Sequence, residues 1–326
     1  MRALVCKEYG PIESLVVEDL PSPVAGPGQV VIKVKAASVN FPDALIVQGK
    51  YQVRPSLPFT PGAELSGVIK ALGAGVKHLT IGQSVIAFSG IGAFAEEALV
   101  DISAVMPLDA SIDPIVAAAV PMTYGTTYHA LRDRAQLQSG ETLLVLGAGG
   151  GIGIAAVELG KLLGATVIAA ASSPEKLAVA KRCGADHLID YQKDDLRARL
   201  KEITGGRGVD VVCDPVGGSY TEAALRSTAW RGRYLVIGFA AGDIPKIPVN
   251  LLLLKGCSLV GAFWDGFMKR EPELGASELT QLLSWVHEGK LRPLITGTYT
   301  LANAREAIAA VFQRRATGKL LITMSN

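Results

Sequence analysis

A glycine-rich turn between an apolar strand pattern and an apolar helix pattern constrains this chain more than any other feature. The segment LVLGAGGGIGIAAVELGKLLG begins at Leu144, and its glycine run opens the predicted helix. Such a turn lets the backbone approach a pyrophosphate, which the helix N-terminus then binds. The sequence departs from the GxGxxG motif: if Gly153 is the last glycine of the motif, Ala148 occupies the position of the first. We predict a dinucleotide-binding loop, and the alternative is a flexible turn between packed elements. The loop residues predicted to contact the cofactor are Gly149, Gly150, Gly151, Ile152 and Gly153.

Strand patterns and helix patterns alternate in the middle of the chain. The strand patterns are ETLLVL, ATVIAAA, DHLID, VDVVCD and RYLVIG, and the helix patterns are IAAVELGKLLG, PEKLAVAKRCG, DDLRARLKEITG and YTEAALRSTAW. This alternation predicts right-handed βαβ units and so a doubly wound parallel sheet, an α/β fold. Ligands bind such sheets at the carboxyl ends of the strands. Residues 121–261 are therefore predicted to form a Rossmann dinucleotide-binding domain.

The two ends of the chain have different patterns. Residues 1–100 contain short β-rich runs broken by glycine and proline, which are typical of a small, partly open barrel. After Phe263 the pattern gives a helix (SELTQLLSWVHEG), a strand (ITGTYT), a helix (NAREAIAAVFQRR) and a last strand (KLLITM). We expect this tail to return to the first domain, so that residues 1–120 and 262–326 together form one domain.

The composition excludes several classes of protein. The chain has 32 Lys and Arg against 30 Asp and Glu, and no basic block that would follow a nucleic-acid backbone. No apolar run reaches membrane-spanning length and no secretory signal is recognised, so we expect a cytoplasmic protein without a membrane partner. The cysteines are scattered without a CxxC pair, which excludes a disulfide framework and a four-cysteine zinc site.

The residues after the second predicted strand bear on the choice of nucleotide. An acid that accepts the ribose hydroxyls of NAD is expected there, but Ser172 and Ser173 occupy the position and Lys176 follows. A carboxylate would repel a 2′-phosphate, whereas hydroxyls and an ammonium group attract it. The sequence therefore favours NADPH over NADH. The alternative for Lys176 is a solvated side chain in the first turn of a helix that starts at Pro174.

Several motifs spread over the chain have a familiar form. They are SVNFPDALIVQGKY, LPFTPGAELSGVI, VPMTYGTTYHAL, the glycine loop, GADHLIDY, DPVGG and RRATGKLLI. With them the chain resembles, over essentially its whole length, the zinc-free quinone oxidoreductases of the medium-chain dehydrogenase/reductase superfamily, the group that contains ζ-crystallin. The resemblance implies a GroES-like, partly open β-barrel catalytic domain, an inserted Rossmann domain and an active site in the cleft between them. It also implies a homodimer through the last strand of the nucleotide sheet, near SLVGAF.

The resemblance assigns roles to individual residues. Lys176, Tyr191 and Arg315 match positions around the 2′-phosphate, with Arg314 as a substitute for Arg315, and Thr126 matches a position on the nicotinamide side. A half-buried aromatic at a strand end is the alternative for Tyr191.

Further contacts with the dinucleotide are expected where the fourth and fifth strands of the sheet end and just after the last strand. The residues are Asp214, Pro215, Gly238, Phe239 and Phe263. Phe263 or Trp264 is expected to wall the acceptor pocket, with core packing as the alternative.

The sequence predicts no catalytic metal. The zinc-using relatives have a cysteine where Asn40 stands, and a histidine where Ala63 precedes Glu64. A catalytic zinc needs about three protein ligands. The histidines of this chain lie outside any matching motif; they are His78, His129, His187 and His287.

The remaining chemistry favours a conjugated acceptor. Without a Lewis acid, the interconversion of simple alcohols and aldehydes loses its main electrostatic aid. A quinone or an α,β-unsaturated carbonyl delocalises the charge of an incoming hydride, so positioning and one or two hydrogen-bond donors suffice. Asn40 takes the place of the missing zinc ligand, and Tyr51 resembles the family's active-site tyrosine. These two residues are the predicted catalytic donors, and Asn40 is expected to orient the nicotinamide or the acceptor. The alternatives are a turn-forming role for Asn40, packing for Tyr51, and water as the proton source.

These observations predict an NADPH-dependent, zinc-independent reductase of quinones or related conjugated carbonyls that transfers hydride from nicotinamide C4. Its expected partners are a small-molecule substrate and a second copy of the chain, and nucleic acid is not expected. Three alternatives stay open: an enoyl-type reductase of 2-alkenals or acyl-thioesters, an NADH-specific dehydrogenase, and a protein that binds NADPH without turnover.

Overall fold

A computed structural model describes residues 1–324, and the chain divides into two compact units. Unit 1 is made of Met1–Thr123 and the chain from Met268 onward, and unit 2 of Tyr124–Phe267. The predicted domain boundaries were after residues 120 and 261. Both divisions of the structure lie inside helical segments, Val120–Tyr124 and Trp264–Arg270.

The N-terminal part of unit 1 is mainly β-structure. Its strands are β1 (Arg2–Val5), β2 (Val16–Asp19), β3 (Gln29–Val39), β4 (Glu64–Leu72), β5 (Ser84–Phe88), β6 (Glu97–Asp101) and β7 (Val105–Pro107). Its helices are α1 (Phe41–Val47) and α2 (Pro114–Ala118), and a π-helical turn at Val120–Tyr124 follows. The apolar residues of β3 are buried, which explains why QVVIKVKAASV is recognisable as a strand.

Unit 2 has the predicted alternation of strands and helices. It begins with α3 (Gly125–Tyr128) and a π-helical turn (His129–Arg134), and continues with β8 (Thr142–Leu146), α4 (Gly151–Leu162), β9 (Thr166–Ala171), α5 (Pro174–Arg182), β10 (His187–Asp190), α6 (Leu196–Ile203), β11 (Val209–Asp214), α7 (Tyr220–Arg226), β12 (Thr228–Val236), α8 (Asn250–Lys255), β13 (Ser258–Gly261) and α9 (Trp264–Arg270). The strands form a parallel sheet in the order β10-β9-β8-β11-β12-β13. This order confirms the predicted doubly wound sheet, and its direction changes between β8 and β11, where such folds bind ligands.

One predicted helix of unit 2 ends earlier than expected. The pattern YTEAALRSTAW predicts a single helix, but α7 ends at Arg226 and Thr228 already begins β12. Thr228 is fully buried and pairs with Val209 of the neighbouring strand. A β-branched residue packs well in a sheet, so sheet pairing overrides the apparent helical periodicity here.

The C-terminal segment completes the sheet of unit 1. It consists of α10 (Pro272–His287), β14 (Ile295–Thr300), α11 (Ala304–Phe312) and β15 (Lys319–Thr323). Strand β15 pairs with β3 in antiparallel register, with Leu320 opposite Val39 and Ile322 opposite Ala37. The strand order is β14-β15-β3-β4-β5-β7, with β6 also beside β3. The tail therefore belongs to the β-rich unit, which has the GroES-like architecture that the resemblance implied.

Candidate functional site

The glycine loop of unit 2 connects β8 to α4 at the carboxyl end of the sheet. Gly150 is the residue before the helix and gives it no side-chain cap, so α4 begins with amide groups that have no partner inside the helix. A Cβ atom on Gly153 would lie 2.2 Å from the carbonyl oxygen of Gly147, whereas one on Gly150 would meet nothing closer than 3.5 Å. Gly153 therefore permits close packing of the loop, whereas Gly150 is not required to be a glycine by any close contact.

Ser172 and Lys176 lie beside this loop. Lys176 Nζ donates a hydrogen bond to Ser172 Oγ at 3.4 Å. The stem of Lys176 packs on the glycine loop, because a Cβ atom on Gly149 would lie 2.6 Å from Lys176 Cβ. The structure thus brings the predicted hydroxyl and ammonium groups to the glycine loop.

Ser173 has a local role at the start of α5. Its hydroxyl oxygen accepts the Lys176 backbone N–H at 3.4 Å, which caps the helix. The same hydroxyl donates to exposed Glu175, and this bond holds the pKa of Glu175 below its ordinary value. Ser173 is therefore engaged by its own helix, and its predicted contact with the cofactor stays a prediction.

Tyr191 follows β10 and packs against a second tyrosine. The centroid of its ring lies 4.2 Å from that of Tyr220, with the planes tilted by 37°. Its backbone N–H donates to the carbonyl oxygen of Ala171 at 3.2 Å, which joins the ends of β10 and β9. These contacts are those of the half-buried aromatic at a strand end, and the phosphate contact of Tyr191 stays a prediction.

The two aromatic residues after β13 have different environments. Phe263 is 52% exposed, whereas Trp264 is 3% exposed. The indole of Trp264 covers Gly125, where a Cβ atom would lie 2.5 Å from Trp264 Cζ2. Trp264 is thus part of the packing beside buried Thr126, and Phe263 is the exposed one of the two, so its contact with a ligand stays a prediction.

The other predicted contacts of unit 2 lie at the ends of β11 and β12. Asp214 is buried, Pro215 and Gly238 are half-buried, and Phe239 is 36% exposed. Arg315 belongs to unit 1, where it follows α11 as an exposed side chain and donates to Gln313 Oε1 at 2.8 Å.

A buried polar cluster in unit 1 contains Asn40. Lys319 Nζ donates to Asn40 Oδ1 and to Thr123 Oγ1, in both cases at 2.7 Å. It also donates to Glu64 Oε1 at 3.1 Å, which pairs a buried ammonium group with a buried carboxylate. Lys319 is 3% exposed and Glu64 fully buried, so each charge compensates the other in a place that water hardly reaches.

The side-chain amide of Asn40 is fully engaged in this cluster. Its Nδ2 donates to Glu64 Oε1 at 2.8 Å and to the Ser38 carbonyl oxygen at 3.2 Å. Its Oδ1 accepts from Lys319 and, at 3.1 Å, from Thr123 Oγ1. An amide has two N–H donors and two acceptor lone pairs. Asn40 would therefore have to give up one of these bonds to contact a ligand directly.

Tyr51 is half-buried in the loop after α1 and packs against the apolar core of unit 1. The loop is fastened by Tyr9, whose hydroxyl donates to the Pro55 carbonyl oxygen, and by Arg54 Nη2, which donates to the Gly49 carbonyl oxygen at 2.7 Å. The packing role of Tyr51 is present in the structure, and its donor role stays a prediction.

Known proteins match both parts of the chain. The profile described as an alcohol dehydrogenase GroES-like domain matches residues 26–110, and the profile described as a zinc-binding dehydrogenase matches residues 151–286. A quinone oxidoreductase-like protein 2 homolog of Nematostella vectensis is 39% identical over 325 residues, which cover 98% of this chain and 88% of that protein. The chain belongs to the quinone oxidoreductase-like medium-chain dehydrogenases/reductases.

Solved structures of the superfamily have the same fold. The Escherichia coli quinone oxidoreductase complexed with NADPH has a TM-score of 0.93 at 28% identity, with 99% of this chain and 100% of that chain covered. A structure described as an NAD-dependent alcohol dehydrogenase has a TM-score of 0.91 at 30% identity, with both chains covered completely. The fold alone therefore does not decide between the two nicotinamide nucleotides.

The zinc in the name of one family profile is not matched by ligands at the expected positions. In residues 1–324 no group of three or more His, Cys, Asp or Glu side chains is arranged to hold a metal ion. Both oxygens of Glu64 accept hydrogen bonds, Oε2 from the Met122 backbone N–H at 2.7 Å. In this quinone oxidoreductase-like chain the ammonium group of Lys319 donates hydrogen bonds to both Asn40 and Glu64.

Within the described part of the chain, no helix is both long and apolar enough to cross a bilayer.

Sequence reasoning missed Lys319 and Thr123. One feature of the sequence could have indicated Lys319. It is the first residue of the apolar strand pattern KLLITM, so its charge lies next to a buried strand. Its partner Asn40 is 279 residues away in the chain, so no local pattern relates the two.

A buried carboxyl group on α4 gives a pH-dependent prediction. Glu158 Oε2 accepts the Tyr124 hydroxyl at 2.5 Å, and burial raises the pKa of Glu158 from 4.5 to about 7 against the lowering effect of this bond. Because the folded-state pKa is the higher one, the favourable contribution of Glu158 is complete below about pH 4.5 and is lost as the pH rises through 7. We expect Glu158→Gln to stabilise the protein at pH 8.5 by about 2 kcal/mol more than at pH 5.5.

Unfolding by urea at the two pH values measures this difference. Glu306→Gln, an exposed residue of α11, is the matched control and should change stability equally at both. An effect of Glu158→Gln that is the same at pH 5.5 and 8.5 contradicts the prediction.

Proposed function

We propose that this protein is an NADPH-dependent reductase of quinones or related conjugated carbonyls. The observation that carries the proposal is the Ser172–Lys176 pair beside the glycine loop, at the end of a strand that no carboxylate follows directly. A 2′-phosphate gains charge-assisted hydrogen bonds there. NADPH, when bound, supplies a hydride from nicotinamide C4. The NADPH complex of the E. coli quinone oxidoreductase supports the proposal of NADPH as the cofactor.

The chain's own residues divide the task of binding. The amide groups of Gly149 and of the first residues of α4, Gly151, Ile152 and Gly153, would hold the pyrophosphate, while the Gly150 amide donates to the Gly147 carbonyl oxygen at 3.0 Å and shapes the loop. Ser172 and Lys176 would bind the 2′-phosphate, joined by Tyr191 and Arg315 as the resemblance implies. Thr126 is proposed for the nicotinamide side, Phe239 for a further contact with the dinucleotide, and Phe263 for the wall of the acceptor pocket.

The acceptor class follows from the residues of unit 1. Asn40 and Ala63 supply no zinc ligand of the usual kind, so a substrate that delocalises its own negative charge suits this chain best. Tyr51 is the proposed donor of a proton or hydrogen bond. We assign to Asn40 an orienting role, because Lys319, Thr123 and Glu64 hold its amide.

NADPH oxidation by chelator-treated protein tests the function. The acceptors are 1,4-benzoquinone, 9,10-phenanthrenequinone and 2-alkenals, with NADH as the cofactor control. Loss of reduced-nicotinamide absorbance with quinones and NADPH is the expected result. Activity with 2-alkenals alone indicates an enoyl-type reductase. NADPH binding without oxidation of any acceptor defeats the reductase assignment and leaves a binding protein.

Lys176→Ala should separate the two nucleotides. The ammonium group is proposed to pair with the charged 2′-phosphate, which NADH lacks, so we expect the Kd for NADPH to rise about ten- to a hundredfold and the Kd for NADH to change less than twofold. Fluorescence titration measures both constants. Lys181→Ala, in the last turn of the same helix, is the control and should alter neither. Equal losses for NADPH and NADH would show that Lys176 acts on the shape of the loop alone.

A homodimer through the edge of the unit 2 sheet is also proposed. Strand β13 is the last strand of the sheet, and apolar side chains near it in the chain are exposed: Leu253 by 81%, Leu254 by 69% and Leu259 by 41%. An edge strand with exposed apolar residues marks an association surface. We expect wild-type protein to elute as a dimer and Leu259→Lys as a monomer in size-exclusion chromatography with light scattering. Val24→Lys, 85% exposed in unit 1, should remain dimeric.

A further inference from the structure

The carboxylate of Asp214, at the end of β11, has a network of its own. One oxygen, Oδ1, accepts the backbone N–H groups of Val216 and Gly217, both at 2.8 Å. The other, Oδ2, accepts the Tyr234 hydroxyl at 2.6 Å and the Thr221 hydroxyl at 3.2 Å. Asp214 is 3% exposed and Tyr234 fully buried, so the carboxylate faces the protein interior. Its bonds hold the start of the following loop, residues 214–218, which we call the Asp214 loop.

The Asp214 loop packs directly on the glycine loop. A Cβ atom on Gly147 would lie 2.7 Å from Val216 Cγ2 and 3.9 Å from Pro215 Cγ. Gly147 has a φ of +61°, a conformation that also favours glycine. The Val216 side chain therefore fills the space over Gly147 and limits where the first residue of the glycine loop can lie.

The far side of the Asp214 loop is fastened to the chain after β12. The Ala241 N–H donates to the Val216 carbonyl oxygen at 2.8 Å, and the Ala240 N–H to that of Pro215 at 3.1 Å. These bonds fix the rim of the loop, and the Asp214 side chain fixes its beginning. The backbone N–H and the carbonyl oxygen of Val216 are thus both hydrogen-bonded, and its side chain packs against Gly147.

Among the groups that hold the Asp214 carboxylate, Tyr234 makes the shortest bond and comes from a different strand. Burial, followed by the negative charge of Asp214, raises the pKa of Tyr234, so its hydroxyl keeps its proton and remains a donor at neutral pH. The hydrogen bond joins β12 to the end of the neighbouring strand β11. Neither Tyr234 nor Asp214 lies in the glycine loop.

We propose that Tyr234 is a positioning residue of the dinucleotide site: through Asp214 it holds Val216 against Gly147 and so fixes the glycine loop that receives the pyrophosphate. The inference rests on the proposed function, since it assigns the loop to a nicotinamide dinucleotide. Because the pyrophosphate is common to NADPH and NADH, Tyr234 acts on both nucleotides equally, unlike Lys176.

Tyr234→Phe removes only the hydroxyl and tests the inference. We expect the Kd values of NADPH and NADH to rise by the same factor, about five- to tenfold, with kcat at saturating NADPH within twofold of wild type. Tyr299→Phe, in β14 of unit 1, is the matched control and should change neither constant. A purely structural role would lower the thermal stability and the active fraction, and hence kcat, with both Kd values unchanged; that result overturns the inference.

Val216→Ala provides a second route if Tyr234→Phe folds poorly. It shortens the side chain over Gly147 and leaves the bonds of Asp214 in place, so the same parallel rise in both Kd values is expected. Unchanged nucleotide affinity in this variant contradicts the inference and leaves the proposed function intact. Wild-type protein that binds neither nucleotide overturns the proposed function, and the inference with it.

Discussion

Gly153→Ala is expected to reduce the affinity for NADPH at least a hundredfold and to destabilise unit 2 by about 3 kcal/mol. The added Cβ atom would lie 2.2 Å from the Gly147 carbonyl oxygen and 2.6 Å from Ala148 Cα. Both contacts are with backbone atoms, so no change of rotamer relieves them. The start of α4 and the glycine loop must move apart, and the amide groups proposed to hold the pyrophosphate move with them.

Titration with NADPH and thermal unfolding measure the two effects of Gly153→Ala. Gly10→Ala is the control for exchanging glycine with alanine, because its Cβ atom would meet only the Ser14 hydroxyl oxygen at 3.7 Å. It should leave both quantities near their wild-type values. Wild-type affinity in Gly153→Ala would mean that the loop adapts at no cost, and the tight packing at Gly147 would then be irrelevant to binding.

The parts of the fold that were predictable are those with a local periodic signal. Apolar runs of strand length that alternate with amphipathic helices determine a doubly wound sheet, since crossover handedness leaves few arrangements. The glycine loop was predictable for the same reason, because the strand, the turn and the helix are neighbours in sequence. Where two signals overlapped, as at Thr228, the periodicity of the helix hid the start of β12.

The candidate site was predicted only in part, because residue type does not reveal a hydrogen-bond partner. Ser172 and Ser173 look equivalent in sequence, yet the first contacts Lys176 Nζ and the second caps α5. Asp214 was predicted to contact the cofactor; its carboxylate holds the Asp214 loop from inside, and the cofactor contact stays a prediction. These distinctions depend on side-chain direction and on contacts between distant strands.

Lys319→Met should cost about 3–5 kcal/mol of the free energy of unfolding, because it leaves the buried carboxylate of Glu64 without its counter-charge. It also removes one of the two donors to Asn40 Oδ1, so the orientation of that amide loosens. Urea unfolding measures the loss. Lys35→Met, an exposed lysine of β3, is the matched control and should change stability by less than about 1 kcal/mol.

A second substitution separates lost charge compensation from lost packing. Methionine nearly preserves the volume of the lysine stem, so the loss in Lys319→Met should come mainly from the isolated carboxylate of Glu64. Adding Glu64→Gln removes that charge, and the double variant should then be more stable than Lys319→Met alone, which gives a favourable coupling energy in a double-mutant cycle. If the two losses simply add, the ammonium group is not compensating Glu64. The cluster would then stabilise unit 1 through packing, and Asn40 would owe its orientation to Thr123 and to its own donors.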